Sequence, residues 1–90
     1  MATTINLGNG NNSQTDIPDK GKVNFHNTTN KSVTLTTPQG INPAGDTDIA
    51  ANATSSDFTV SANTGDVLTY TWDNTGSAAL ATRSGTIKVT

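Results

Sequence analysis

The sequence contains no cysteine and only four aromatic residues, which are one Trp, one Tyr and two Phe. Without cysteine the chain can form no disulfide, no thiolate nucleophile and no zinc–thiolate site. Charged residues are also few, at 13% of the chain, which differs from the highly charged composition of disordered proteins. These absences exclude thiol chemistry and indicate a folded protein without covalent crosslinks.

Positive charge is sparse, with five Lys or Arg residues and a net charge of −2. A surface that binds nucleic acid needs clustered basic side chains, whereas the five here are scattered along the chain. We therefore expect no nucleic-acid partner. The five residues are Lys20, Lys22, Lys31, Arg83 and Lys88.

No apolar run approaches the roughly 20 residues that a membrane-spanning helix needs. The first ten residues, MATTINLGNG, also lack the basic and apolar regions of a secretory signal peptide. We expect no membrane span, and either no export by that route or a Met1 that replaces a removed signal. The composition is compatible with a secreted or surface protein, so the location stays open.

Threonine and asparagine dominate the chain instead, with 18 and 11 residues, alongside 8 glycines. Threonine favours strands, whereas asparagine and glycine favour turns. A chain of 90 residues is long enough for one domain. We therefore predict a single all-β domain over residues 1–90, built as a two-sheet Greek-key β-sandwich of about seven strands.

Alternation of apolar and polar residues marks the strands. Residues 22–27 and 32–37 alternate most cleanly, and with the turn between them they predict a β-hairpin. Further strands are predicted at 3–7, 57–61, 67–73 and 85–90, and a crossing loop at 38–48. The predicted core consists of Val23, Phe25, Val33, Leu35, Phe58, Val60, Leu68, Tyr70, Trp72, Ile87 and Val89.

The segment from Gly8 to Asp16 contains no apolar residue. Because it has no apolar anchor, we predict that it is a mobile loop. Its Asn9-Gly10 pair is expected to be the chemically weakest point of the loop. Deletion of residues 9–13 is accordingly expected to leave the thermal stability almost unchanged.

Three stretches resemble the cupredoxin family of small β-sandwiches. They are TINLG near the start, IPDKGKVNFHN at the entry to a later strand, and the closing strand, loop and strand TYTWDNTGSAALATRSGTIKV. The resemblance implies a cupredoxin-like topology, and an immunoglobulin-like sandwich is the alternative arrangement of such strands.

A blue-copper site uses two His, one Cys and a weak axial Met. By the resemblance, the first His would stand near Lys31 and Ser32, and the second within residues 73–82. The Cys would stand at Trp72 and the Met at Arg83. None of these positions carries a copper ligand, and residues 73–82 contain no His. The resemblance therefore implies the scaffold alone, and we expect no copper and no other cofactor.

The other candidates for chemistry are weak. His26, the single histidine, lies on the outward face of a predicted strand with no marked nucleophile beside it. Asp46 and Asp48, with Asp16 and Asp19, offer oxygen atoms, but their spacing matches no calcium-binding loop. We therefore predict that the protein is not an enzyme and holds no metal.

The hydroxyl- and amide-rich composition favours a non-enzymatic binding or structural module. The predicted strands SVTLTT and TINL carry no charge, so as edge strands they predict a homo-oligomer or docking to a protein partner. The alternative is a small carbohydrate-binding domain, in which Trp72 stacks on a glycan beside Asp73, Asn74 and Arg83. Core packing competes for Trp72, because the chain has few other large side chains.

Overall fold

The computed structural model describes residues 2–74 and 82–90, which form nine strands in two sheets. The strands are β1 (Thr3–Leu7), β2 (Thr15–Ile17), β3 (Lys22–Asn27), β4 (Val33–Thr37), β5 (Ile41–Asn42), β6 (Gly45–Ile49), β7 (Phe58–Val60), β8 (Val67–Asn74) and β9 (Arg83–Val89). The four-stranded sheet has the order β1-β3-β7-β5, and the five-stranded sheet has the order β2-β9-β8-β4-β6.

The all-β, two-sheet prediction is confirmed for the described residues, which include no helix. In the same part of the chain, no helix is therefore long and apolar enough to cross a membrane. The structure has more strands than the seven expected, because the predicted crossing loop at 38–48 contains β5 and all of β6 except its last residue, Ile49. Both strands are rich in Asn, Gly and Asp, residues that also favour turns.

Fifteen apolar side chains are buried between the sheets as one core. Ten of the eleven predicted core residues are among them, and the exception, Leu68, is half-buried. Phe25 lies at the centre of the aromatic cluster, with its ring centroid 5.3 Å from that of Phe58 and 5.2 Å from that of Tyr70. The five buried residues that the pattern missed are Ile5, Leu7, Ile17, Ile41 and Ile49.

Tyr70 fits into this core because the residue opposite it has no side chain. Tyr70 pairs with Gly85 across the β8–β9 ladder, and a Cβ atom added at Gly85 would overlap the phenol ring and its hydroxyl. The hydroxyl accepts a hydrogen bond from Asn12 Nδ2 at 3.1 Å. Burial of the phenol raises its pKa, and the hydrogen bond from Asn12 opposes that shift.

The predicted β-hairpin of residues 22–37 is wrong. β3 pairs with β1 and β7 in one sheet, whereas β4 pairs with β6 and β8 in the other. The turn between them therefore arches from sheet to sheet. Most other connections also pass between the sheets: every connection except that between β8 and β9 joins a strand of one sheet to a strand of the other.

Asn27 holds the arch between β3 and β4, and its side chain is fully buried. Its Nδ2 group lies within hydrogen-bond distance of three backbone oxygens, those of Lys31 (2.7 Å), Ile49 (3.1 Å) and Ala50 (3.2 Å). Its Oδ1 atom accepts from the backbone N–H and the hydroxyl of Thr29, at 2.9 and 2.6 Å. One amide thus satisfies polar groups from two parts of the chain, residues 29–31 and 49–50, which apolar periodicity cannot predict.

The edge strands differ in part from those expected. The strand SVTLTT is not an edge, because β4 lies between β6 and β8. The predicted edge TINL is β1, at the end of the four-stranded sheet. The other edges among the described strands are either short, as in β2 and β5, or carry carboxylates, as in β6, and both features oppose pairing with another chain.

The segment of residues 8–16 is held by polar contacts, although it has no apolar anchor. Asn12 donates its backbone N–H to Ser84 O at 2.9 Å, and its Nδ2 group to Asn6 O at 2.8 Å. Asn11 Oδ1 accepts from Ser84 N at 3.0 Å, and Thr15 begins β2, which pairs with β9. Hydrogen bonds therefore do the anchoring that we expected only from apolar residues.

Candidate functional site

Three of the four residues that the sequence singled out come together inside the sandwich. Arg83 pairs with Trp72 across the β8–β9 ladder, and its guanidinium carbon lies 5.8 Å from the centre of the indole. Its Nη2 group donates to Asn74 Oδ1 at 2.8 Å, and its Nη1 group donates to Gly8 O at 2.9 Å and Asn9 Oδ1 at 3.1 Å. We call these five residues the Arg83 cluster.

The charge of Arg83 is buried, with 6% of the residue exposed. All of its hydrogen-bond acceptors are neutral oxygens, so no carboxylate balances it among the described residues. Within the same part of the chain, Nε of Arg83 has no hydrogen-bond partner. The full positive charge of Arg83 therefore lies in a low-dielectric environment, where amide and carbonyl dipoles and the indole ring of Trp72 stabilise it.

Trp72 is fully buried and cannot stack on a glycan as the carbohydrate-binding hypothesis required. Its ring packs against Tyr70, with centroids 5.8 Å apart, and its Nε1 group donates to Gly8 O at 3.0 Å. Asp73 follows Trp72 on the opposite face of β8, because side chains alternate along a strand. The four predicted residues therefore do not form one open site.

Two residues of the Arg83 cluster stand at positions to which the cupredoxin resemblance assigns copper ligands. Trp72 and Arg83 stand where the Cys and the Met would be, and both are committed to packing and hydrogen bonding. Residues 75–81, within which the second histidine was sought, lie outside the described residues. Among the residues described, no group of three or more His, Cys, Asp or Glu side chains could hold a metal ion.

The other candidate ligands are separated and have local partners. His26 Nδ1 lies 2.8 Å from Thr54 Oγ1, on the outer side of β3. Asp46 and Asp48 accept hydrogen bonds from Thr36 and Thr34, at 2.7 and 2.8 Å, across the β4–β6 ladder. These carboxylates thus bond to the neighbouring strand.

A groove of about 670 Å³ opens at the opposite end of the sandwich, where the turn after β4 meets the start of β8. We call it the amide groove, because three of the side chains that line it carry amides. Leu68, Ala62 and Ala44 supply its apolar part. The polar lining consists of Gln39, Asn42, Ser61, Asn63 and Asp66, together with the backbone of Gly40.

Four side chains of the amide groove make no hydrogen bond to another described residue, namely those of Gln39, Asn42, Ser61 and Asn63. All four are exposed. They therefore present several unused donors and acceptors towards one space. Asp66 is the one titratable residue of the described lining, and its Oδ2 atom accepts from Asn63 N at 3.2 Å.

The backbone around the amide groove is fixed by hydrogen bonds between its loops. Ser61 N donates to Gly40 O at 2.8 Å, and Ala62 N donates to Asp19 Oδ1 at 3.3 Å. Gly40 has a φ of 105°, and a Cβ there would lie 3.0 Å from Leu68 Cδ1. Gly40 is therefore required both by its left-handed conformation and by close contact with the groove floor.

Sequence reasoning missed the amide groove because its residues come from two connections far apart in the sequence, at 39–44 and 61–66, and from Leu68 in β8. Each connection, taken alone, has the Asn, Gly and Ser composition of any loop. Only the strand directions bring the connections to one end of the sandwich. Comparison of the chain with protein-family models, with curated proteins and with solved structures gave no match in any of the three.

Proposed function

We propose that this chain is a non-enzymatic binding module and that its ligand, a neutral saccharide, lies in the amide groove. The observation that carries the proposal is the set of four amide and hydroxyl side chains around one apolar floor, none bonded to another described residue. Exposed loops on a rigid sheet scaffold are the usual place for binding residues. The proposal keeps the carbohydrate-binding hypothesis but moves it away from Trp72.

The chemistry of the groove favours hydroxyl groups over charged ligands. A carboxamide offers both donors and acceptors, and so does a sugar hydroxyl, so the two can pair in either direction. The lining, as far as the structure describes it, contains no Lys or Arg for an anion and a single carboxylate, Asp66, for a cation. Leu68 and the two alanines can contact the C–H face of a sugar ring. A saccharide is therefore the best chemical match.

The affinity is expected to be modest. No aromatic side chain among the described residues lines the groove, so the stacking energy typical of a sugar platform is missing. The groove is also open to solvent, and its long side chains lose rotamer freedom on binding. We expect dissociation constants in the millimolar range, equivalent to about 4 kcal/mol of binding free energy.

Two-dimensional amide NMR spectra recorded during titration with mono- and disaccharides test this proposal. Saturable shifts are expected at Gly40, Asn63 and Asp66, and none at Trp72 or Arg83, at the far end of β8. The variant Asn42→Ala should weaken binding without loss of stability, because its side chain supports no other described residue. Asn30→Ala, an exposed change outside the groove lining, is the matched control.

Absence of saturable shifts for every sugar at high millimolar concentration would remove the saccharide proposal. Shifts that persist unchanged in Asn42→Ala and in a second variant, Asn63→Ala, would place binding elsewhere. Tryptophan fluorescence is a poor probe, because Trp72 is buried outside the groove.

We also propose that the sandwich is Greek-key and cupredoxin-like. The three stretches that carry the resemblance coincide with β1, with the approach to β3 and β3 itself, and with β8 and β9. The repeated passage of the chain between sheets supports Greek-key connections, which join strands that are not neighbours. An experimental structure that shows a different strand order would exclude this assignment.

A structural role through self-association is the second candidate, and the β1 edge is the observation that favours it. β1 carries no charge, and a groove of about 250 Å³ lies between it and residues 12–15. Asn12 Nδ2 already donates to Asn6 O, so pairing with a second chain would centre on Thr4. Thr4 lies two residues before Asn6 and therefore faces the same side of β1. Sedimentation equilibrium over a wide concentration range tests it, and Thr4→Lys should abolish any dimer.

A further inference from the structure

Asn9 and Gly10 form the one Asn-Gly pair in the sequence, and both residues are exposed. A glycine after asparagine leaves the backbone nitrogen unhindered, and Gly10 has no atom within 4 Å of the place a Cβ would occupy. The Gly10 nitrogen can therefore reach the side-chain carbonyl carbon of Asn9 more readily than the nitrogen of any other residue type would.

Arg83 polarises this same carbonyl. Its Nη1 group donates to Asn9 Oδ1 at 3.1 Å, and the guanidinium is always charged. A fixed cationic donor on an amide oxygen stabilises the oxyanion that forms when a nucleophile adds to the carbon. The environment of Arg83 enhances the effect, because the guanidinium is buried and has no carboxylate partner among the described residues.

We propose that Asn9 is a site of spontaneous deamidation assisted by Arg83, and that the carboxylate of the aspartate product pairs with the Arg83 guanidinium. The deprotonated Gly10 nitrogen forms a bond to Asn9 Cγ, and the negative charge develops on Oδ1, opposite Nη1 of Arg83. Collapse of this intermediate breaks the Cγ–Nδ2 bond, and ammonia leaves after it takes up a proton from water. The product at this stage is a succinimide ring.

Water then opens the ring at one of its two carbonyls. Cleavage of the bond between Cγ and the Gly10 nitrogen yields aspartate, and cleavage of the other carbonyl–nitrogen bond yields isoaspartate. No electrons are transferred, and water is the only co-reactant. Either product has one new carboxylate, so the net charge falls from −2 to −3. Only aspartate has this carboxylate at Cγ, the former amide carbon, because in isoaspartate Cγ becomes part of the backbone.

The aspartate product supplies the counter-ion that the Arg83 cluster lacks among the described residues. A charge-assisted bond to guanidinium is roughly twice as strong as a bond between neutral groups. Asn9 is exposed, so its carboxylate loses little hydration when it pairs. Protein that carries the aspartate product is therefore expected to be more stable than the newly made protein, the reverse of the usual effect of deamidation.

Deamidation kinetics at mildly alkaline pH test the first half of the proposal. The loss of Asn9 in the folded protein is followed by peptide mass spectrometry and compared with that in a synthetic peptide of residues 6–12. We expect the folded protein to react about tenfold faster than the peptide. This factor is smaller than the rate effect of about 10²–10³ for one donor in a buried oxyanion hole, because Asn9 is exposed. A slower rate in the folded protein would overturn the proposal.

The aspartate variant tests the second half and does not depend on the reaction. Asn9→Asp should raise the melting temperature by about 4 °C or more, and Asn30→Asp, the same change at an exposed control position, should not. The gain should vanish in the background of Arg83→Met, provided that this variant gives a folded spectrum. Equal effects at positions 9 and 30 would refute the pairing.

Discussion

Replacement of Asn27 by aspartate keeps the size and shape of the side chain and changes only its hydrogen-bonding character. The Nδ2 group that now lies near the oxygens of Lys31, Ile49 and Ala50 would become an oxygen that faces them. The variant thus removes the donor from a buried cluster of acceptors and adds a charge there. The arch between β3 and β4 would lose its central support.

The expected cost follows from burial. Asn27 is 0% exposed, so water cannot replace the lost donor. An uncompensated buried charge costs about 3–5 kcal/mol. Domains of this size are stable by only about 5–15 kcal/mol in total. The melting temperature should fall by about 12–40 °C, because each kcal/mol lowers it by about 4–8 °C in a chain of this length.

Thermal and urea unfolding, followed by far-UV circular dichroism, measure the effect. Asn30→Asp is the matched control, since Asn30 is exposed and makes no side-chain bond to another described residue. It should change stability by less than about 0.5 kcal/mol. If Asn27→Asp is as well tolerated as Asn30→Asp, the arch does not depend on this amide and the reasoning is refuted.

The pH dependence of the same variant adds an independent check. A buried carboxylate favours its neutral form, so its pKa in the folded state lies above the value of about 3.9 in the unfolded chain. A group of this kind contributes most to stability below the unfolded pKa, and the contribution is lost as the pH rises through the folded pKa. The deficit of Asn27→Asp should therefore shrink at acidic pH.

Three further changes test other parts of the structure. Gly85→Ala should cost about 2–3 kcal/mol in urea unfolding, because its Cβ would overlap Tyr70, and Tyr70→Phe in the same chain should restore part of the loss. Burial raises the pKa of Tyr70 above 10.0, so the contribution of Tyr70 to stability is present below pH 10.0 and should fall as the pH rises through the pKa of the folded state. Thermal melts at alkaline pH should show this loss in the unmodified protein and not in Tyr70→Phe. Deletion of residues 9–13, which removes the bonds of Asn12 to Tyr70 and Ser84, should now cost about 3 kcal/mol, and an unchanged melting temperature would restore the expectation of a mobile loop.

The core was largely predictable from the sequence, because alternation alone places Val23, Phe25 and their counterparts on inner faces. Pairing was not predictable in the same way. The pattern of β3 and β4 is equally compatible with a hairpin and with an arch between sheets, and the choice depends on the buried amide of Asn27. A local pattern carries no information about a residue that acts through backbone oxygens far along the chain.

The candidate site was predicted less well, and for a similar reason. Trp72 and Arg83 were singled out by residue type, but their burial depends on Gly8 and Asn9, more than 60 positions away. The amide groove was missed because no single turn contains it. Residue type indicates which chemistry is available, whereas the fold determines which groups remain free to use it.

The passage of the chain between sheets at every connection except that of β8 and β9 affects how the protein folds. The strands of each sheet are separated in the sequence by strands of the other sheet, so neither sheet can form before the other. Nearly all strand pairing has to close long loops before it gains contacts, which places the folding time in the range of about milliseconds to seconds. For the same reason, the two sheets should be lost together, and amide hydrogen exchange in the cores of β3 and β8 should report one common opening free energy.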